Sequence, residues 1–234
     1  MTTSPASVLF ISGAGLPAWT WDDVRYRLSD HRTRVAPRPG NGAGLRDYAQ
    51  AALDAVSTDR FSIVAHSAGG VVAAEVARLA SGRVDGVLAV SAIVPTPGGS
   101  FLSALPIPNR WILGIAMRLA GTRPPESAIR GTLAHGIDEA TVDRIVADFT
   151  PEPLGYYRDR TGRDDWPGRR EYLCTTADKE LPPALQRKFA GRLGATLVHE
   201  LATGHLPMLE DPAGVVRAVT GLLETQPCAT AADR

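Results

Sequence analysis

Short apolar runs bounded by turn residues alternate with longer segments in which apolar positions recur every three to four residues. Side chains alternate faces with period two on a strand and 3.6 on a helix, so the first pattern predicts buried strands and the second predicts helices. Strands are predicted at residues 8–12, 33–36, 61–65, 84–94, 171–176 and 195–201. Helices are predicted around residues 22–28, 45–56, 68–79, 183–192 and 212–223, with Gly82 closing off the third before the next strand. Strands alternating with helices imply an α/β architecture, a mostly parallel six-stranded sheet with helices on its faces.

The rhythm breaks between residues 95 and 167, where Pro and Gly punctuate the chain, Trp and Tyr are scattered, and helical spacing is confined to 111–119 and 140–149. We read 95–167 as a helical lid inserted into a core formed by 1–94 and 168–224. Helices packed on the sheet edge would give the same texture. Residues 225–234 are small and polar, the composition of a disordered tail.

Composition narrows the partners. A chain of 234 residues with 44% hydrophobic content can bury one substantial core. Twenty-five basic residues balance twenty-five acidic ones, so no net field draws the protein to nucleic acid or an anionic membrane, and a small-molecule substrate is expected. The residues before Val8 lack the basic region and apolar run of a secretory signal, and no apolar run is of membrane-spanning length. Cys174 in a strand and Cys228 in the tail fit a reducing compartment better than a disulfide framework. The expectation is a cytoplasmic protein without metal or organic cofactor, in a form that admits a homodimer.

Candidate chemistry starts at Ser62-Ile63-Val64-Ala65-His66-Ser67-Ala68-Gly69-Gly70, where a serine sits between an apolar strand and a small-residue helix. A sharp strand-to-helix turn lifts such a hydroxyl above the sheet and leaves the next amide, that of Ala68, free to donate to a developing negative charge. Ala65 and Gly69 supply the small side chains that close packing demands, although Ala65 stands where glycine is usual. Ala202-Thr203-Gly204-His205-Leu206-Pro207 follows the last strand and offers His205 as general base, and Asp178, after Leu173-Cys174-Thr175-Thr176-Ala177, offers a carboxylate to hold its tautomer. The segment after the 84–94 strand contains no acid. Ser12-Gly13-Ala14-Gly15-Leu16 supplies a second backbone donor, the Ala14 amide, for an oxyanion hole with Ala68. Gly13, Leu206, Trp111, Tyr157 and Trp166 are the candidate substrate contacts.

With these segments in order, the chain resembles the α/β-hydrolase superfamily, and within it the small methylesterase and hydroxynitrile lyase-like group. The resemblance rests on Ser12-Gly13-Ala14 with Ala18-Trp19-Thr20-Trp21, the serine elbow, Thr176-Ala177-Asp178-Lys179-Glu180-Leu181-Pro182-Pro183 leading into Gln186-Arg187, and Gly204-His205. Ser12 stands where the family usually has histidine. Hydroxynitrile lyases of the group carry a threonine in the oxyanion loop and a lysine after the catalytic histidine. Gly13 and Leu206 occupy those positions here, so the resemblance implies an esterase-type serine hydrolase acting on a carboxylic ester, lactone or thioester. Two alternatives stay open: a lyase, cyclase or isomerase on the same fold, and an NADP-dependent reductase. The second draws on the loose glycine fingerprint of residues 13–18, with Arg34 or Arg38 for a 2′-phosphate.

Overall fold

The computed structural model describes residues 5–163 and 166–224, so the predicted tail and Cys228 lie outside the described residues. Six strands form one sheet in the order β2-β1-β3-β4-β5-β6, namely β1 (Ser7–Ile11), β2 (Arg32–Val35), β3 (Phe61–His66), β4 (Val84–Val90), β5 (Arg169–Thr175) and β6 (Leu197–Leu201). All five pairings are parallel.

Helices α1 (Asp22–Arg27), α2 (Leu45–Asp54) and α3 (Gly69–Leu79) follow the first three strands. The β4–β5 connection carries α4 (Phe101–Ala104), α5 (Asn109–Leu119), α6 (Glu126–Ala128), a π-helical turn (Ile129–Leu133), α7 (Glu139–Asp148) and α8 (Leu154–Arg158). Then α9 (Pro183–Leu193) leads into β6, and α10 (Pro207–Glu210) and α11 (Pro212–Glu224) close the fold. No helix among the described residues is long and apolar enough to cross a membrane.

The alternation along the strands sorts the core into two layers. Leu9, Ile11, Ile63, Ala65, Val87, Ala89, Tyr172 and Cys174 point to the face covered by α2, α3 and α9. Val8, Phe10, Val64, Leu88, Val90 and Leu173 point to the face covered by α1 and α11. Strands buried on both faces read as continuous apolar runs, which is why β1, β3 and β4 were legible. On the second face Phe10 packs against Trp21 with ring centroids 4.9 Å apart, a contact whose loss through Phe10→Ala costs about 3–5 kcal/mol.

The predicted 84–94 strand is too long. Pairing stops at Val90, because Ser91 takes a positive φ of 37° that no ladder accommodates, and the apolar residues Ala92, Ile93 and Val94 are buried beyond it as irregular chain. Apolarity reports burial there, and burial alone does not make a strand. The short helices α4, α6, α8 and α10 have too few turns to register as a period.

Candidate active site

Three loops meet at the carboxyl ends of β3, β5 and β6, the end of the sheet where open parallel sheets place their ligands. The first is the turn from β3 into α3. Ser67 takes φ 51°, a conformation that costs an L residue energy and persists only where the surroundings enforce it. Its amide donates to the Val90 carbonyl at 3.2 Å and its carbonyl accepts from the Ile93 amide at 2.9 Å, so the end of β4 and the chain just beyond it fix the turn on both sides. The helix can follow so closely only with glycine: a Cβ on Gly69 would lie 2.6 Å from the Ser12 carbonyl oxygen, and one on Gly70 would lie 2.4 Å from that of Ile93.

The second loop follows β6. His205 is buried, and its Nε2 lies 2.8 Å from the Ser67 hydroxyl while its Nδ1 lies 2.8 Å from Asp178 Oδ2. The carboxylate fixes the tautomer: Nδ1–H donates to Asp178, which leaves Nε2 to accept from the serine. The third loop, after β5, holds Asp178. Its Oδ1 accepts the amides of Glu180 at 2.9 Å and Leu181 at 2.8 Å, and its Oδ2 accepts from Thr175 Oγ1 at 2.8 Å and Gln186 Nε2 at 3.1 Å. Burial pushes this carboxyl up, but the hydrogen bond and charge of His205, with the Leu181 amide and the Thr175 hydroxyl, outweigh it and hold the pKa below the usual value.

Between the first and second loops lies His66, the last residue of β3 and fully buried. Its Nε2–H donates to the main-chain carbonyl of His205 at 2.8 Å, and the Ser91 hydroxyl approaches the same oxygen at 3.5 Å. Burial, reinforced by neighbouring His205, lowers its pKa to about 3, so His66 is a neutral brace and not a second base. On the other side of the serine, a Cβ on Gly13 would meet His66 Nδ1 at 2.9 Å and Ser67 Cβ at 3.0 Å, so glycine alone brings the β1–α1 loop this close. Ser12, where the family usually has histidine, accepts from Trp21 Nε1 at 3.1 Å and ties the loop to the core.

Above the three loops opens a cavity of about 580 Å³. Gly13, Ala14, Ser67, Ala68 and His205 line its floor, and no group among the described residues accepts from the amides of Ala14 or Ala68. The remaining wall is mostly apolar: Phe101, Leu105, Ile112, Leu113, Met117, Ile129, Leu133, Phe149 and Tyr157 come from the β4–β5 connection, and Leu181 and Leu185 from the segment after Asp178.

The structure thus brings together Ser67, His205, Asp178, Ala14, Ala68, Gly13 and Tyr157. It places three predicted contacts elsewhere. Leu206 is fully buried in the core with Met208 and Val215, because the residue after His205 turns under the cavity floor. Trp111 faces outward on α5, 62% exposed and beside the Arg110 guanidinium. Trp166 lines a separate small cleft with Arg78 and Arg192. Arg38, one of the two arginines offered for a 2′-phosphate in the reductase alternative, is paired with Glu152 at 2.9 Å.

Sequence reasoning missed Gln186, Thr175 and His66, which hold Asp178 and the His205 main chain, and Glu152, which accepts from the Gly15 amide beside the cavity at 3.1 Å. The Thr175 and Gln186 contacts span only three and eight residues from Asp178, and the spacing could have exposed them. Glu152, acidic between two prolines and next to apolar sequence, was a visible oddity, but its partners lie more than a hundred positions away.

Comparison with known proteins follows the same outline. Residues 8–218 match the family model described as the alpha/beta hydrolase family. An uncharacterised protein of Mycobacterium tuberculosis is 28% identical over 263 residues, covering 95% of this chain and 76% of the relative. An extracellular alpha/beta-hydrolase from a Paenibacillus species, described as sharing structural and functional homology with tobacco salicylic acid binding protein 2, superposes with a TM-score of 0.81 at 18% identity, covering 93% of this chain and 99% of the other. Polyneuridine aldehyde esterase gives 0.72 at 17% identity, covering 95% and 100%, and tomato methylketone synthase I bound to 2-tridecanone gives 0.77 at 12%, covering 95% and 99%. At such identities the structural likeness speaks for the fold, and the match over 8–218 carries the assignment: the chain belongs to the alpha/beta hydrolase family.

Proposed function

We propose that the protein is a cofactor-independent serine hydrolase that cleaves a carboxylic ester, lactone or thioester of a small, largely apolar substrate through an acyl-enzyme on Ser67. The observation that carries this reading is the unbroken relay from Asp178 through His205 to Ser67, two contacts of 2.8 Å each, ending at the cavity. As Ser67 Oγ attacks the carbonyl carbon, its proton moves to His205 Nε2 and the carbonyl π pair moves onto oxygen, which the Ala14 and Ala68 amides receive. Collapse expels the alcohol, protonated by His205. Water, deprotonated by the same imidazole, then hydrolyses the acyl-enzyme. Asp178 keeps the imidazole in the productive tautomer and stabilises its positive charge.

The apolar walls and a volume within the range of ordinary ligand pockets favour a substrate held by shape and desolvation. The likeness to polyneuridine aldehyde esterase supports an ester, and 2-tridecanone in methylketone synthase supports an apolar ligand. That second neighbour also motivates the competing reading, a non-hydrolytic reaction of a carbonyl substrate at the same residues. Incubation with p-nitrophenyl butyrate separates the two. Stoichiometric release of nitrophenol and butyrate, lost on the order of 10⁴-fold or more in Ser67→Ala, is expected. Turnover that survives Ser67→Ala would overturn the nucleophile.

A further inference from the structure

An amide that receives an oxyanion has no side-chain chemistry of its own, so its usefulness depends on what orients its peptide plane. Peptide groups are planar, and fixing the carbonyl of one fixes the N–H at its other end. For Ala14 the first plane is held within the loop: the Gly13 carbonyl accepts from the Leu16 amide at 3.2 Å, which turns the Ala14 N–H the opposite way. The following plane is held from outside. Its Gly15 N–H donates to Glu152 Oε1 at 3.1 Å, and in the plane after it the Gly15 carbonyl accepts from the Thr150 amide at 3.1 Å. Gly15 has φ +76°, a region glycine enters and leaves freely, so this is the peptide most able to rotate if released.

From these contacts we infer that Glu152 is a positioning residue for the oxyanion loop, holding the Ala14 amide towards the reacting carbonyl from within the β4–β5 connection. The inference rests on the serine-hydrolase reading above.

The surroundings of Glu152 are built for that task. The side chain is 3% exposed, and a buried carboxylate is tolerable only when paired and hydrogen-bonded. Arg38, just after β2, donates Nε to Oε1 at 2.9 Å and brings Nη2 to the same oxygen at 2.9 Å as an ion pair, and the Tyr48 hydroxyl of α2 donates to Oε2 in a short hydrogen bond. Two further elements thereby aim the carboxylate at Gly15. Arg38 also cancels the negative charge that would otherwise repel an oxyanion formed nearby. Thr122 Oγ1 donates to the Glu152 carbonyl at 2.6 Å and Arg123 Nη1 to that of Phe149 at 2.6 Å, and the Phe149 ring fills the space a Cβ on Gly15 would need. The segment that covers the cavity therefore also locks the loop that receives the oxyanion.

The test uses the full chain, p-nitrophenyl butyrate, and two inhibitors. One is a trifluoromethyl ketone, which adds to Ser67 and places an oxyanion in the hole; the other is butyrate, which carries no tetrahedral centre. Removing an oxyanion donor outright costs 10²–10³ in kcat, and misaligning one costs less, so Glu152→Ala is expected to lower kcat about 30-fold. KM and butyrate inhibition should stay within about threefold, while ketone affinity falls in step with kcat. Glu152→Gln keeps an acceptor for Gly15 and should recover most of the loss. Tyr48→Phe, which frees Oε2 but keeps the ring packed on Tyr156, should lower kcat about threefold at unchanged KM. If Glu152→Ala does not fold, the two milder variants decide. Wild-type kcat and ketone affinity in all folded variants overturn the inference, as does an equal loss of ketone and butyrate binding, which marks a merely structural role. A wild-type protein that neither turns over the ester nor takes a fluorophosphonate on Ser67 removes the hydrolase reading and this inference together; labelled, active wild type with indifferent Glu152 variants removes this inference alone.

Discussion

The two walls of the cavity are built on opposite principles. On the sheet side, Ser67, His205 and Asp178 sit on short loops after β3, β6 and β5, and hydrogen bonds tie their side chains together: Asp178 alone accepts from His205, Glu180, Leu181, Thr175 and Gln186. On the other side, the β4–β5 connection lines the cavity with Phe101, Ile112, Leu113 and Met117, and its helix α5 turns Trp111, Ile115 and Leu119 outward, 62%, 56% and 84% exposed. Hydrogen bonds are directional and hold reacting atoms to tenths of an ångström; apolar contact is not directional and tolerates changes of shape. On the proposed reading, one wall fixes which reaction can occur and the other selects what fits. Glu152 joins them, a charged residue of the selecting wall spent on the orientation of the reacting one.

That contrast can be broken from either side. The largest effect beyond the nucleophile is expected at Asp178→Asn, which keeps the shape of the relay but favours the wrong imidazole tautomer. Steady-state kinetics should show kcat reduced on the order of 10³- to 10⁴-fold with KM little changed. A loss under tenfold would mean that Thr175 and Gln186 orient His205 without the charge.

On the apolar wall, Leu113→Trp fills part of the cavity. The ratio of kcat/KM for p-nitrophenyl octanoate over acetate should fall about tenfold, while acetate itself changes little. Equal loss on both esters would show that this wall also shapes the reaction.

A test of stability in place of activity sharpens the comparison through pH. His66 has a folded pKa of about 3 against an unfolded value of about 6.5, so between those limits the unfolded chain binds the proton and the folded chain does not. Its contribution is complete above ~6.5, declines by about 1.4 kcal/mol per pH unit as the pH falls, and is gone below about 3. In His66→Gln, whose amide can still donate to the His205 carbonyl, urea unfolding across this window should lose that part of the slope. An unchanged slope would mean that His66 titrates normally.

How far the sequence could be read follows the same division. That Ser67, His205, Asp178, Ala14 and Ala68 come together could be read in advance, because each lies beside a strand end flanked by Gly, Ala or Pro, features that local geometry demands. Leu206, Trp111 and Trp166 were misplaced as contacts because adjacency to His205, or aromatic character within a loop, does not say which way a side chain turns. That direction depends on packing between distant segments. Glu152 illustrates the limit, since its role emerges only when Gly15, Arg38 and Tyr48 are assembled around it. The overlong 84–94 strand has the same origin: the positive φ at Ser91 is imposed by the elbow packed against it, not by the residues around it.

The most direct test of the central claim is to treat the protein with a fluorophosphonate and map the adduct by peptide mass spectrometry. A single adduct on Ser67, absent in Ser67→Ala and slowed on the order of 10³-fold or more in His205→Ala, is the expected result. An adduct on another residue, or no adduct in a protein that still hydrolyses esters, would contradict it.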